Sequence, residues 1–179
     1  MAENINSFFF NTTPRIIYGS NVSEDSRPFS KLIGKSVLLI TDKGLTALKL
    51  YENLIINLRK LGIKIQIFDD VEADPSLQTL EKAISFGKET DASGIIGFGG
   101  GSSMDVAKLT ALILGSTENL EEAWGVGNAK GPRLPLILVP TTAGTGSEVT
   151  PVSIITVDGD EKRGVSSPLI LPDFALLDP

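Results

Sequence analysis

The sequence predicts an α/β fold, a mainly parallel, Rossmann-like sheet with flanking helices and an added β-hairpin. Short, continuously apolar runs recur along the chain, as strands buried on both faces of a parallel sheet require. Between them lie stretches with apolar residues spaced by three and four, the pattern of helices that cover such a sheet. Two of the apolar runs lead straight into glycine-rich turns, GFGGGS and PTTAGTGSE.

The elements follow in order. Arg15 to Tyr18 (RIIY) reads as a short strand, and Ser20 to Phe29 as a loop with one helical turn. Val37 to Thr41 (VLLIT) is a buried strand. Leu45, Leu48, Tyr51, Leu54, Ile55, Leu58 and Leu61 then predict one amphipathic helix, which Gly62 ends. Ile63 to Phe68 is the next strand. Asp74-Pro75 offers an N-cap with proline at the first helical position, and Leu77, Leu80, Ala83, Ile84 and Gly87 share one helix face. Gly94 to Phe98 is a strand that enters an apolar helix ending near Leu114, and Leu134 to Val139 is another. Strands alternating with helices imply crossover connections and a parallel sheet. Past Glu148 the rhythm changes. Val149 to Val157 and Gly164 to Ser167, around Asp158-Gly159-Asp160, predict a hairpin, and Phe174 to Leu177 a last strand. No linker or repeat interrupts the chain, so residues 1–179 read as one domain.

Composition excludes several functions. A net charge of −6 leaves no clustered Lys and Arg for phosphate neutralisation, so a nucleic-acid surface is not expected. The chain has no cysteine, hence no disulfide, thiolate nucleophile or Cys-ligated zinc. It has no histidine either, which removes the commonest transition-metal ligand and the usual neutral-pH acid or base. No stretch approaches the roughly 18 apolar residues of a membrane helix, and the segment MAENINSFFFNTTPR lacks the basic start and long apolar core of a signal peptide. The expectation is a cytoplasmic protein with no membrane partner.

GFGGGSSMDVAK (97–108) is the most informative segment. Gly99, Gly100 and Gly101 stand between a strand and a helix, where missing side chains let a ligand approach the backbone and free N–H groups and the helix dipole favour an anion such as a pyrophosphate. The alternative is a tight turn with Ser102 as N-cap and Asp105 completing a capping box. The usual dinucleotide pattern places an acidic ribose ligand about twenty residues after the glycines. Here the acidic candidate, Asp42, precedes them. It could accept hydrogen bonds from an adenosine ribose and repel a 2′-phosphate, favouring NAD over NADP, or simply cap the helix from Leu45. In PTTAGTGSE (140–148), Thr141, Thr142, Thr145 and Ser147 offer hydroxyls beside Gly144 and Gly146. A second such loop after a neighbouring strand fits ligand binding at the carboxyl ends of strands.

GGGSSMDVAK and PTTAGTGSEVT, with TDKGL upstream and LPDFALLDP at the end, resemble the N-terminal half of the iron-containing (group III) alcohol dehydrogenases. The resemblance implies that Gly100, Gly101 and Ser102 cradle the pyrophosphate of NAD and that Asp42 binds the adenosine ribose. It implies that Thr141, Thr142 and Thr145 contact the cofactor, that Lys162 reaches the nicotinamide ribose, and that Asp105, in the family's D-x-x-K with Lys108, lies near the nicotinamide. Asp74 stands where many members carry Asn, which leaves that contact open. The resemblance also implies that the iron, or zinc, belongs to an all-helical second half absent from these residues, so Asp178 is not expected to be a metal ligand. The intact enzyme would move hydride between NAD and an alcohol or aldehyde and form a homo-oligomer. The chain alone would be inactive, and its strand Phe174 to Leu177 would be exposed and drive self-association. The NAD domain of a dehydroquinate synthase or glycerol dehydrogenase-like enzyme, or a stand-alone nucleotide-binding module, are the alternatives.

Overall fold

The computed structural model describes residues 10–179; Phe8 and Phe9 of the phenylalanine run, and most of the segment judged for a signal peptide, lie outside them. Six strands, β1 (Ile16–Tyr18), β2 (Ser36–Ile40), β3 (Lys64–Phe68), β4 (Gly94–Gly99), β6 (Leu136–Pro140) and β9 (Phe174–Leu177), form one sheet in the order β1-β9-β6-β4-β2-β3. Every neighbouring pair in it is parallel. A smaller sheet joins the antiparallel hairpin of β7 (Val152–Thr156) and β8 (Lys162–Ser166) to β5 (Gly125–Val126).

Strand alternation divides the core into two layers. Val37 and Leu39 of β2, with Ile96, Phe98, Ile137 and Val139, face helix α2 (Glu52–Lys60) through Leu54, Ile55 and Leu58. Leu38 and Ile40, with Ile95, Leu136 and Leu138, face α3 (Leu77–Glu89), α4 (Gly101–Gly115) and the small sheet. Burial of β2 and β4 on both sides explains their unbroken apolar runs. Helix α4 sits between sheet, α3 and β7, which is why its sequence is apolar almost all round. A Cβ on Gly97 would lie 2.7 Å from both Ala107 Cβ and Leu138 Cδ2, so glycine there sets how closely α4 meets the sheet.

Several local expectations are corrected. The helix expected from Leu45 to Leu61 is two, α1 (Lys43–Leu48) and α2, broken at Lys49, which takes a left-handed φ of 58°. The break lets Tyr51 turn inward, its hydroxyl donating to Thr46 Oγ1 at 3.0 Å, while Leu48 and Leu50 stay exposed. Ser76, not Asp74, caps α3 by accepting the Thr79 N–H at 3.2 Å. Asp74 instead adopts a left-handed φ of 52°, which Asp tolerates better than most residues. At α4 the N-cap is Gly100 with no side-chain bond, so the Ser102 and Asp105 capping box does not form. The hairpin gains β5 and the four-residue helix α5 (Leu120–Ala123), elements too short to show periodicity. Strand β9 is not an exposed face. It lies between β1 and β6 with Phe174, Ala175 and Leu176 buried, while Ile16 and Tyr18 are exposed on the edge strand β1. Among the described residues, no helix is long and apolar enough to cross a membrane.

Candidate cofactor cleft

The chain runs from β2 outward to β3 and returns to β4 on the other side of β2, so the connections diverge between β2 and β4. In open parallel sheets the crevice outside the carboxyl ends at such a point is where ligands sit. Asp42 follows β2, the glycine turn follows β4, and Thr141 to Ser147 follow β6. Thr141 N–H donates to the Gly99 carbonyl at 3.0 Å and holds the third segment beside the second.

Two clefts meet at the first turn of α4. The first, about 760 Å³, is bordered by Asp42, Leu45, Glu72, Gly100, Ser102 and Thr142, with Thr141 also on its wall. The second, about 570 Å³, is bordered by Asp74, Gly101, Asp105, Thr145, Ile154 and Lys162, with Ser102 common to both. Gly99, at φ 153°, bends the chain into the turn, and a Cβ there would press on Ser103 Oγ at 2.7 Å. A Cβ on Gly101 would lie 3.3 Å from Thr145 Cγ2 and one on Gly100 3.4 Å from Thr142 Oγ1, so side chains would fill the seam between the clefts. Because no side chain caps α4, its first N–H groups and the positive end of its dipole face this seam.

Asp42 does cap α1, its Oδ1 accepting the Leu45 N–H at 3.0 Å. That bond occupies one carboxylate oxygen, so capping and an acceptor role toward the cleft are compatible. Beside Asp42, Lys43 pairs with Asp70 at 2.6 Å, holding the Lys43 pKa up and the Asp70 pKa down, chiefly through that hydrogen bond. Glu72 was not anticipated from sequence. It accepts from Ser76 N at 2.9 Å and from Thr79 Oγ1, fixing the start of α3 at the cleft edge.

The second cleft is more deeply wired. Asp105 Oδ1 accepts from the Ser147 hydroxyl at 2.7 Å and Oδ2 from Ile154 N–H at 3.0 Å. Burial pushes the Asp105 carboxyl up, against the opposing pull of the Lys108 charge and those two hydrogen bonds. Ser147 is buried, its hydroxyl turned inward between Asp105 and Lys108. Lys108, fully buried, donates to Ser147 Oγ at 2.8 Å and to the carbonyls of Thr150 and Val152 at 3.0 and 2.7 Å. Burial lowers its pKa to about 8, with Asp105 and Glu148 opposing the shift. The sequence signal for this network was a lysine set inside MDVAKLTALIL, where Asp105, three residues before it, is the only other charged position. Lys162, at the start of β8, pairs with Asp74 on the far wall. The structure thus gathers Asp42, Gly100, Ser102, Thr141 and Thr142 around one cleft, with Gly99 in the turn behind it, and Gly101, Asp105, Thr145, Ser147 and Lys162 around the other.

The chain contains no His or Cys, and among the described residues no group of three or more His, Cys, Asp or Glu could hold an ion.

Comparison with known proteins accords with this architecture. The chain is 37% identical over 152 residues to long-chain-alcohol dehydrogenase 1 of Geobacillus thermodenitrificans, covering 83% of this chain and 38% of that protein. It is 31% identical over 175 residues to sulfoacetaldehyde reductase of Bilophila wadsworthia, covering 96% and 45%. Among solved structures, a 1,3-propanediol oxidoreductase superposes with a TM-score of 0.91 at 30% identity, over 97% of this chain and 46% of that one. Sulfoacetaldehyde reductase from Bifidobacterium kashiwanohense, solved in complex with NAD+, gives a TM-score of 0.84 at 26% identity, over 97% and 47%. The chain therefore spans less than half the length of these relatives. The sequence model of the iron-containing alcohol dehydrogenases matches residues 13–179, and the chain belongs to that family.

Proposed function

We propose that this chain, as one dinucleotide-binding domain, holds NAD across the two joined clefts. The observation that carries the proposal is the meeting of those clefts at the uncapped N-terminus of α4, at the point where the sheet's connections diverge. In this reading the adenosine lies in the first cleft, with Asp42 accepting from the ribose hydroxyls and repelling a 2′-phosphate. Gly100, Gly101 and Ser102 receive the diphosphate on backbone N–H groups, and Gly99 makes the bend that presents them. Thr141, Thr142 and Thr145 add hydroxyls along its path. The nicotinamide end lies in the second cleft, with Lys162 toward its ribose and Asp105, supported by Ser147, beside the ring. The NAD complex of a relative with the same fold supports this choice of cofactor.

When bound, NAD supplies hydride transfer, and the family's substrates by name are alcohols and aldehydes. We infer that the whole enzyme oxidises an alcohol or reduces an aldehyde, and that residues other than these hold the family's metal. The part played here is to bind and orient the cofactor and to wall one side of the reaction cleft. We also infer a homo-oligomer, supported by the exposed Ile16 and Tyr18 on edge strand β1; a monomeric mass by light scattering at high concentration contradicts it.

Thermal unfolding with added NAD tests the binding. A ligand at a hundred times its Kd stabilises by about 2.7 kcal/mol, and no rise at millimolar NAD contradicts the proposal. NADP should stabilise less than NAD. Dehydrogenase turnover by these 179 residues alone is expected to be absent, and its detection in a pure preparation contradicts the division of labour.

A further inference from the structure

The cofactor contacts proposed above leave Lys108 unused. Its ammonium is completely buried, which is costly for a cation unless every proton is satisfied. All three N–H groups are spent on one segment, on Ser147, Thr150 and Val152, which runs from the turn after β6 into β7. The ammonium therefore ties the helix that begins at the glycine turn to the segment that carries the far wall of the second cleft. Through Ser147 it also reaches Asp105, whose other oxygen takes the Ile154 N–H of β7. Methionine at this position would pack with no charge to desolvate, but would leave a hydroxyl and two carbonyls without their donor.

We propose that Lys108 is a positioning residue for the nicotinamide side of the cofactor cleft: by clamping residues 147–152 onto α4 it sets the spacing between glycine turn and hairpin and the orientation of Asp105. The proposal rests on the NAD reading. It separates the two clefts, since Asp42 and the adenosine side lie outside the clamp. The charged groups facing the ammonium are Asp105 from its own helix and Glu148 from the turn, while Thr150 before β7 and Val152 at its start present backbone carbonyls. A neutral amine can serve only two of the three acceptors, so the clamp weakens when Lys108 loses its proton.

The test compares NAD with ADP, which carries the adenosine and diphosphate alone, on the wild-type chain and on Lys108→Met. The wild type is expected to bind NAD more tightly than ADP. In Lys108→Met, NAD affinity is expected to fall roughly fivefold or more while ADP affinity stays within about twofold. An unchanged ratio of the two affinities, or an equal loss of both, overturns the proposal. If Lys108→Met does not fold, Ser147→Ala carries the same comparison, because it removes the hydroxyl link to Asp105 and leaves the two carbonyl bonds. Its NAD preference should drop by about two- to threefold, and an unchanged preference overturns the proposal. The wild-type preference should also decline as pH rises through about 8, and remain flat in Lys108→Met. A flat wild-type profile contradicts the role of the third hydrogen bond. A wild type that binds neither ligand at millimolar concentration overturns the NAD reading itself. A wild type that binds both, with Lys108→Met showing the same preference, overturns only the role of Lys108.

Discussion

The two halves of the proposed cofactor cleft are built by different physics. The first is made by chain geometry close to where each residue sits in sequence: Asp42 caps the helix three residues on, and the glycine turn bends between consecutive elements. The second is assembled from α4, the turn after β6 and the hairpin, segments joined by hydrogen bonds between residues dozens of positions apart. A cleft of the first kind tolerates change in the rest of the fold so long as its own strand ends hold. One of the second kind depends on a buried ionic network, and that makes its geometry sensitive to single side chains and to pH.

Both depend on the seat of α4, so the largest effect should come from a change that unseats it. Gly97→Leu forces a side chain between Ala107 and Leu138, where even a Cβ would lie only 2.7 Å from each. Overpacking of this kind costs about 1–3 kcal/mol, and the upper end is expected because strand and helix must both move. Urea unfolding measures it, and near wild-type stability would show that the two clefts do not share this support.

The network half should reveal itself by pH. The folded Lys108 pKa of about 8 lies below its ordinary 10.5, so between those values the unfolded chain binds more protons than the folded one. Stability contributed at this site therefore rises with pH across that window, by at most about 3 kcal/mol. Asp105 has the opposite sense, since a raised carboxyl pKa adds stability in acid that is lost as pH climbs. The stability of the wild type minus that of Lys108→Met should thus increase from about pH 8 to 10.5. A difference that stays level would mean that the lysine is hydrated in solution.

In the geometric half, Asp42→Ala should cost about 1 kcal/mol as a lost N-cap and weaken NAD and ADP alike. Asp42→Asn keeps the cap, so its stability should stay near wild type while its discrimination against NADP falls. If Asp42→Asn binds NADP no better than the wild type does, the carboxylate is a cap and nothing more. The smallest effect is expected at Lys162→Ala. Its pairing with Asp74 is solvent-exposed on both sides, and such pairs contribute under about 1 kcal/mol. Thermal stability should barely move while NAD affinity drops, and a large stability loss would reassign Lys162 to the fold.

The same contrast decides what could be read from sequence. Strands β2, β4 and β6 were legible because burial on both faces imposes unbroken apolar runs, and the glycine turn because its backbone needs residues without side chains. Asp42 was legible as a carboxylate at a strand end. The break at Lys49 was hidden, since the spacing from Leu45 to Leu61 suits one helix and only the inward turn of Tyr51 favours two. The capping box at Ser102 and Asp105 failed because Asp105 is drawn away by Ser147 and Ile154, partners that local pattern does not name. Strand β9 misled for a similar reason. The expectation of an absent second half suggested an exposed apolar strand, whereas β1 pairs along its outer side.

The most direct test of the cofactor site is to follow the backbone amide resonances of the chain while NAD is added. The expected result is that the largest shifts fall at Gly100 to Ser103, beside Asp42 and Gly44, and at Thr142 to Thr145, with Lys162 and Ile154 responding to NAD more than to ADP. Shifts that gather instead along α2 or the outer face of α3, leaving the glycine turn unmoved, would contradict it.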